Sequence, residues 1–207
     1  QNNADIEADC YPYDAFSTYI GSAVFDGNCF DDWGMKYSDL IITGGKYQGQ
    51  TCTETIFNDI RTNYPDTLGI LPIMKEEEVL LALSHPHIYL GSDGILNNGK
   101  GHPRGAGSFP KFLGHYTRKL EAFTWPEALR KVTLNAAQRL NLKNKGELKV
   151  GYDADITIFD PSSIKDTASW LSPLDEPIGI KYVFVNGQLI VKDNNVINTT
   201  SGSFVAK

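Results

Sequence analysis

Apolar Ile6, Ala8 and Cys10 alternate with polar Glu7, Asp9 and Tyr11, which predicts a short strand with one polar face. Tyr11-Pro12-Tyr13 stops it, because proline offers no amide hydrogen to a sheet ladder. Residues 19–52 show no sustained period, and turns are marked at Asp26-Gly27-Asn28 and Thr43-Gly44-Gly45. Helical spacing returns after Thr53, a predicted N-cap, with Ile56, Phe57 and Ile60 as the apolar stripe. Asn63-Tyr64-Pro65-Asp66 ends that helix, and Leu68 to Met74 holds a strand-like piece. Glu76, Glu77 and Glu78 favour the positive end of a second helix, whose stripe is Val79, Leu80 and Leu83. His85-Pro86-His87 closes it, and the apolar run Ile88-Tyr89-Leu90 then predicts a buried parallel strand.

Further along, Phe109 to Lys119 reads as a helix with Phe112, His115 and Tyr116 on one side. Thr124-Trp125-Pro126-Glu127 has capping-box spacing with proline in the first turn. Leu129 and Val132 are expected to face inward, with a short helix through Ala136, Ala137 and Leu140 after them. From Gly146 the pattern changes to alternation, Leu148 and Val150 and then Ile156 and Ile158. Asn186-Gly187 between two apolar runs is a strong hairpin signal. This last stretch predicts a small β subdomain.

The candidate chemistry lies where the Ile88–Leu90 strand runs out into Gly91-Ser92-Asp93-Gly94. In barrels and open α/β sheets the carboxyl ends of strands form the open mouth where reactions occur. Ser92-Asp93-Gly94 by itself reads equally well as a turn. Residues 99–107 follow, a glycine-rich loop too poor in apolar surface to pack as a core element, with Lys100, His102 and Arg104 in it. Arginine there suits two parallel hydrogen bonds to a carboxylate. His85 and His87 have the spacing of a zinc pair, yet they precede the strand rather than end it, and a helix-ending turn is expected. Asp31-Asp32 is expected to be solvated loop.

Three groups of residues carry a resemblance. They are Gly91-Ser92-Asp93-Gly94 with His102-Pro103-Arg104, Ser108-Phe109-Pro110 and Leu113-Gly114-His115-Tyr116; Asp9-Cys10-Tyr11-Pro12-Tyr13 with Ser17-Thr18; and Gly151-Tyr152-Asp153-Ala154-Asp155-Ile156. Taken in chain order the set resembles the D-aminoacylases (N-acyl-D-amino-acid deacylases) of the metal-dependent amidohydrolase superfamily. The resemblance implies an α/β fold: the C-terminal part of a (β/α)8 TIM-like barrel over residues 1–145, then a small β-sandwich subdomain over 146–207. A lid-like insertion is expected around 19–52. The implied reaction hydrolyses an N-acyl-D-amino acid to a D-amino acid and a carboxylate. Asp93 would be the catalytic proton acceptor, with a metal-ligand role for it also open. Tyr11, Ser17 and Arg104 would hold the substrate carboxylate. The cofactor implied is zinc, polarising the scissile carbonyl, with its principal ligands upstream of Gln1.

Length and charge bound this reading. At 207 residues the chain is shorter than the roughly 250 of a whole barrel, so it is expected to be part of a longer protein and inactive alone. A net charge of −6 argues against nucleic acid or an anionic membrane as partner. No apolar run approaches the roughly 20 residues of a membrane span. Cys10, Cys29 and Cys52 make an odd number without metal spacing, and a cytoplasmic location is expected. An unpaired sheet edge in the β subdomain would invite association, a homo-oligomer among the outcomes. A cyclic amidase of the dihydroorotase kind would use the same aspartate, and a non-catalytic fragment is the third class kept open.

Overall fold

The computed structural model describes residues 6–205. The outer ends of the two expected segments, residues 1–5 and 206–207, therefore lie outside the described residues. In chain order the first elements are β1 (Ala8–Cys10), β2 (Phe16–Tyr19), α1 (Cys29–Asp32), β3 (Ile41–Ile42), α2 (Glu54–Asn63) and β4 (Leu68–Leu71). Next come α3 (Glu76–Ser84), β5 (Ile88–Leu90), a hairpin of β6 (Leu96–Asn97) and β7 (Lys100–Gly101), and α4 (Arg104–Lys111). A π-helical segment, Phe112–Lys119, continues α4 before α5 (Trp125–Val132) and α6 (Leu134–Arg139). The chain finishes in β8 (Ile156–Phe159), β9 (Ile180–Val185), β10 (Gln188–Lys192) and β11 (Asn195–Val196).

β1 and β5 are parallel neighbours, with Asp9 opposite Tyr89 and Cys10 opposite Leu90. Alternation sends Cys10 and Leu90 to one face, where they meet Val79 and Leu83 of α3, Phe112 and Tyr116 of the π segment, and Ala128 of α5. The other face carries Glu7, Asp9, Tyr11 and Tyr89, and the Tyr89 hydroxyl donates to Glu7 at 2.8 Å. A parallel strand pair with helices on its apolar side, followed by antiparallel β structure, is the expected C-terminal part of an α/β barrel with its β subdomain. α3 starts on the three glutamates and ends before His85, and Thr53 and Thr124 cap α2 and α5 as their spacing predicts.

Residues 19–52 form short elements around a second core. β2, β4 and β3 make an antiparallel sheet, with Ser17 opposite Ile70. Over it pack Ile20, Phe25, Phe30, Leu40, Phe57 and Ile60. Burying such side chains contributes about 1.5–3 kcal/mol each. Aromatic residues at irregular spacing thus close a core that no sequence period announces.

The β subdomain is a four-stranded antiparallel sheet in the order β11-β10-β9-β8, with the β9–β10 turn at Asn186-Gly187. It docks on the helices through Ile164, fully buried against the π segment, and the Arg118 guanidinium donates to the Ile164 carbonyl at 2.7 Å. Three local expectations are corrected. Leu148 and Val150 form no strand and are 83% and 102% exposed, because no neighbouring strand among the described residues offers them a face. On α5, Leu129 points outward while Ala128 and Lys131 are buried, the Lys131 ammonium capping the carbonyls of His85 and Ile88. Leu140, just past α6, is likewise exposed rather than packed.

Candidate functional site

The segment after β5 leaves the sheet through Asp93, which sits in the left-handed region at φ 45°. Aspartate tolerates that region better than most side chains. Gly94 next to it meets Gly105 so closely that an added Cβ would lie 2.7 Å from the Gly105 Cα. The contact brings the strand end against the start of α4.

Here the expectation of a loose glycine-rich loop over 99–107 is corrected. Residues 104–107 are the first turn of α4, and Arg104, Gly107 and Ser108 are buried. Gly107 is there for contact, since a Cβ on it would come within 2.2 Å of the Tyr13 hydroxyl. A helix poor in apolar side chains packs because its glycines admit neighbouring groups to the backbone.

Arg104 is 2% exposed and is the centre of the constellation. Its Nε donates to the Asp93 carbonyl at 2.8 Å, and its Nη2 lies 2.8 Å from the Asp93 carboxylate and 3.1 Å from the Ser17 carbonyl. Its Cζ stands 4.4 Å from the centre of the Tyr11 ring, a cation–π approach. The four residues singled out in the sequence, Tyr11, Ser17, Asp93 and Arg104, are therefore one cluster drawn from β1, β2 and the two segments flanking the β6–β7 hairpin.

The members differ in exposure, and that difference sorts what each can do. The Asp93 side chain is 61% exposed, so its carboxylate reaches open space while its partner is buried. The Ser17 hydroxyl is buried without a hydrogen-bond partner. An orphan of that kind costs about 1–3 kcal/mol. Burial pushes the Tyr11 phenol up, against the lowering effect of the Arg104 charge, so Tyr11 stays a neutral donor.

His102 carries no assigned role in the sequence pattern. Its ring is fully buried, with Nε2 3.0 Å from the Ala15 carbonyl and Nδ1 accepting the Arg104 amide hydrogen at 2.9 Å. Trp170, from the β subdomain, packs edge-on at 4.8 Å between ring centres, and Tyr13 does so at 5.1 Å. Burial, with the Arg104 charge second, pushes the imidazole down to about 3. Tyr13 in turn donates to Asp166 at 3.0 Å. The His-Pro-Arg run is the local signal for His102; apart from Arg104 its partners, Ala15, Tyr13 and Trp170, come from distant segments.

Other candidates fall away from this cluster. His85 and His87 form the turn after α3, and His87 faces Glu7. Lys100 lines a separate depression with Thr43, Tyr64 and Asn97. His115 pairs with Glu76 beside a cavity of about 310 Å³ that also takes in Asp14, Lys111 and Asp166. Among the described residues no group of three or more His, Cys, Asp or Glu side chains is placed to hold a metal ion. These residues do not compose a metal centre by themselves.

The model of the amidohydrolase family matches residues 62–190. A D-aminoacylase of Alcaligenes xylosoxydans xylosoxydans is 30% identical over 211 residues, covering 98% of this chain and 42% of the relative. A crystal structure of D-aminoacylase, described as defining a novel subset of amidohydrolases, superposes with a TM-score of 0.81 at 29% identity, over 97% of this chain and 42% of that one. An N-acyl-D-glutamate deacylase from Bordetella bronchiseptica, complexed with zinc and a phosphonate inhibitor that mimics the tetrahedral intermediate, superposes with a TM-score of 0.74 at 29% identity. That match covers 88% of this chain and 39% of the deacylase. The chain thus spans less than half the length of each.

Proposed function

Because the chain belongs to the amidohydrolase family, we propose that it supplies the proton-transfer and carboxylate-binding part of a metal-dependent hydrolase of N-acyl-D-amino acids. The observation that carries this is the burial of Arg104 in contact with Tyr11, Ser17 and Asp93 at once. Asp93 takes a proton from the attacking water, whose oxygen bonds to the acyl carbon. It returns that proton to the nitrogen as the carbon–nitrogen bond breaks, leaving a carboxylate and a free D-amino acid. Arg104 and the hydroxyls of Tyr11 and Ser17 bind the substrate carboxylate. The clamp fixes one substituent of the α-carbon, and handedness is set once the scissile amide and the side chain are held as well. Zinc, as in the deacylase complex, is the cofactor proposed, and its principal ligands lie outside the described residues; residues 6–205 alone turn over no substrate.

The remaining assignments belong to the same proposal. Residues 1–145 act as the barrel portion, with 19–52 covering its mouth, and 146–207 as the β subdomain. No helix of the described residues is long and apolar enough to cross a membrane; we place the protein in the cytoplasm, with small N-acyl amino acids as its partners. The test is substrate profiling of the full-length protein loaded with zinc, comparing N-acetyl-D-amino acids, their L-isomers and dihydroorotate. Turnover confined to the D-series is expected. Preference for the cyclic amide would overturn the assignment in favour of a cyclic amidase, and no turnover of any of them would leave the fragment as a scaffold.

A further inference from the structure

We infer that His102 is the positioning residue of Arg104, a neutral imidazole in the Nε2–H tautomer that ties the first residue of α4 to the β1–β2 connection. The inference rests on the reading above and deepens it. The ring has two nitrogens and two fixed partners. The Ala15 carbonyl, 3.0 Å from Nε2, can only accept, so Nε2 carries the hydrogen. The Arg104 amide, 2.9 Å from Nδ1, can only donate, so Nδ1 offers its lone pair. The partners fix the tautomer whatever the surrounding charge. An imidazolium would turn an N–H toward another N–H and lose the second bond.

What the imidazole joins gives it a function. Ala15 lies between Tyr11 and Ser17, the two residues proposed to share the substrate carboxylate with Arg104. The guanidinium end of Arg104 is held by Asp93 and Ser17, and its main-chain end is held by His102. With both ends fixed, the spacing between the arginine and the two hydroxyls is set before substrate arrives. Tyr11, Tyr13 and Trp170 wall the ring in, and Arg104 and Lys111 are the cations that act on it. The Ala15 carbonyl favours a charged form, but burial and the two cations outweigh it. His102 touches no reacting atom and works through Arg104.

Two measurements test this. In the full-length protein, His102→Leu removes both bonds, whereas His102→Asn puts its side-chain oxygen where Nδ1 lies and keeps the Arg104 bond. Steady-state kinetics on an N-acetyl-D-amino acid should show KM raised about tenfold in His102→Leu, with kcat within about threefold of wild type. His102→Asn, which keeps the Arg104 bond but loses the one to Ala15, should recover only part of that KM. An unchanged KM in His102→Leu, or equal damage in both variants, would overturn the positioning role. If Arg104→Ala also leaves KM unchanged, the carboxylate clamp itself falls; if only the His102 variants leave it unchanged, the clamp stands without its tie. The second measurement is nitrogen-15 NMR of the chain labelled at its 4 histidines, which needs no activity. One ring, missing from His102→Asn, should hold the neutral Nε2–H signature from about pH 5 to about pH 9. An Nδ1–H signature, or titration of that ring in this range, would overturn the assignment.

Discussion

Arg104 grips Asp93 at two points, its Nε on the main-chain oxygen and its Nη2 on the carboxylate, each at 2.8 Å. The aspartate is held by backbone and side chain together, so its left-handed turn and the direction of its carboxylate are fixed by one buried cation. The Asp93 side chain is nevertheless 61% exposed, so its carboxylate stays open to solvent. A group that must accept and return a proton needs this combination of rigid aim and open access.

Replacing Asp93 with Asn should abolish the proton transfer while retaining the fold. An amide keeps the shape and the main-chain contact but has no basic oxygen for the water proton. Turnover in the full-length protein should fall by about 10²–10⁴. The lost charge leaves Arg104 without its counterion, at a cost discounted to about 1 kcal/mol because Asp93 is largely solvated. Circular dichroism unchanged alongside lost turnover is the expected result; near wild-type turnover would remove Asp93 from the mechanism.

Arg104→Ala should act on binding. It removes charge-assisted bonds of about 1.5–3 kcal/mol each and strands the Ser17 and Asp93 carbonyls. KM for a carboxylate-bearing substrate is expected to rise by about tenfold or more, and Arg104→Lys should recover only part of it, since an ammonium cannot reproduce the fork. Substrates amidated at that carboxylate should be indifferent to both changes. A KM that tracks neither variant would show the arginine to be structural only.

The pattern of what could be read locally follows from where each signal comes from. Thr53, Thr124, the three glutamates of α3 and Asn186-Gly187 act within four residues of themselves, and the structure keeps all of them. Asp93 and Arg104 stand out locally at a strand end, and Tyr11 and Ser17 only through the family resemblance, but the meeting of the four depends on β1 lying parallel to β5. The first turn of α4 was hidden because glycines carry no apolar period, and its packing partners, Tyr13 and Asp166, are far away in sequence. Leu148 and Val150 mislead in the opposite sense: alternation proposes a strand, and only a neighbour can make it one.

Acid should loosen the protein through His102. Its folded value, about 3, lies below the ordinary value of 6.5, so the unfolded chain binds the extra proton between those limits. Stability therefore rises with pH across that window: the contribution is complete above 6.5 and is lost progressively as pH falls toward 3. Urea unfolding of wild type between these limits should show uptake of about one proton that is missing in His102→Asn. Parallel pH profiles for the two proteins would show that the ring is protonated in the folded state as readily as in the unfolded one.

Gly107→Ala tests whether the glycines of α4 serve contact or mobility. A methyl group there would stand 2.2 Å from the Tyr13 hydroxyl and 3.2 Å from Asp166, so the hydroxyl must move and its 3.0 Å bond to Asp166 must break. Overpacking of this kind costs about 1–3 kcal/mol, which outweighs the helix-propensity gain of about 1 kcal/mol from replacing glycine by alanine. The urea midpoint should fall, and Tyr13→Phe in the same background should recover part of the loss by removing the clashing oxygen. If flexibility were the reason for the glycine, alanine would stabilise the helix and the midpoint would rise. The sign of the change decides between the two, and the contact distance requires a fall.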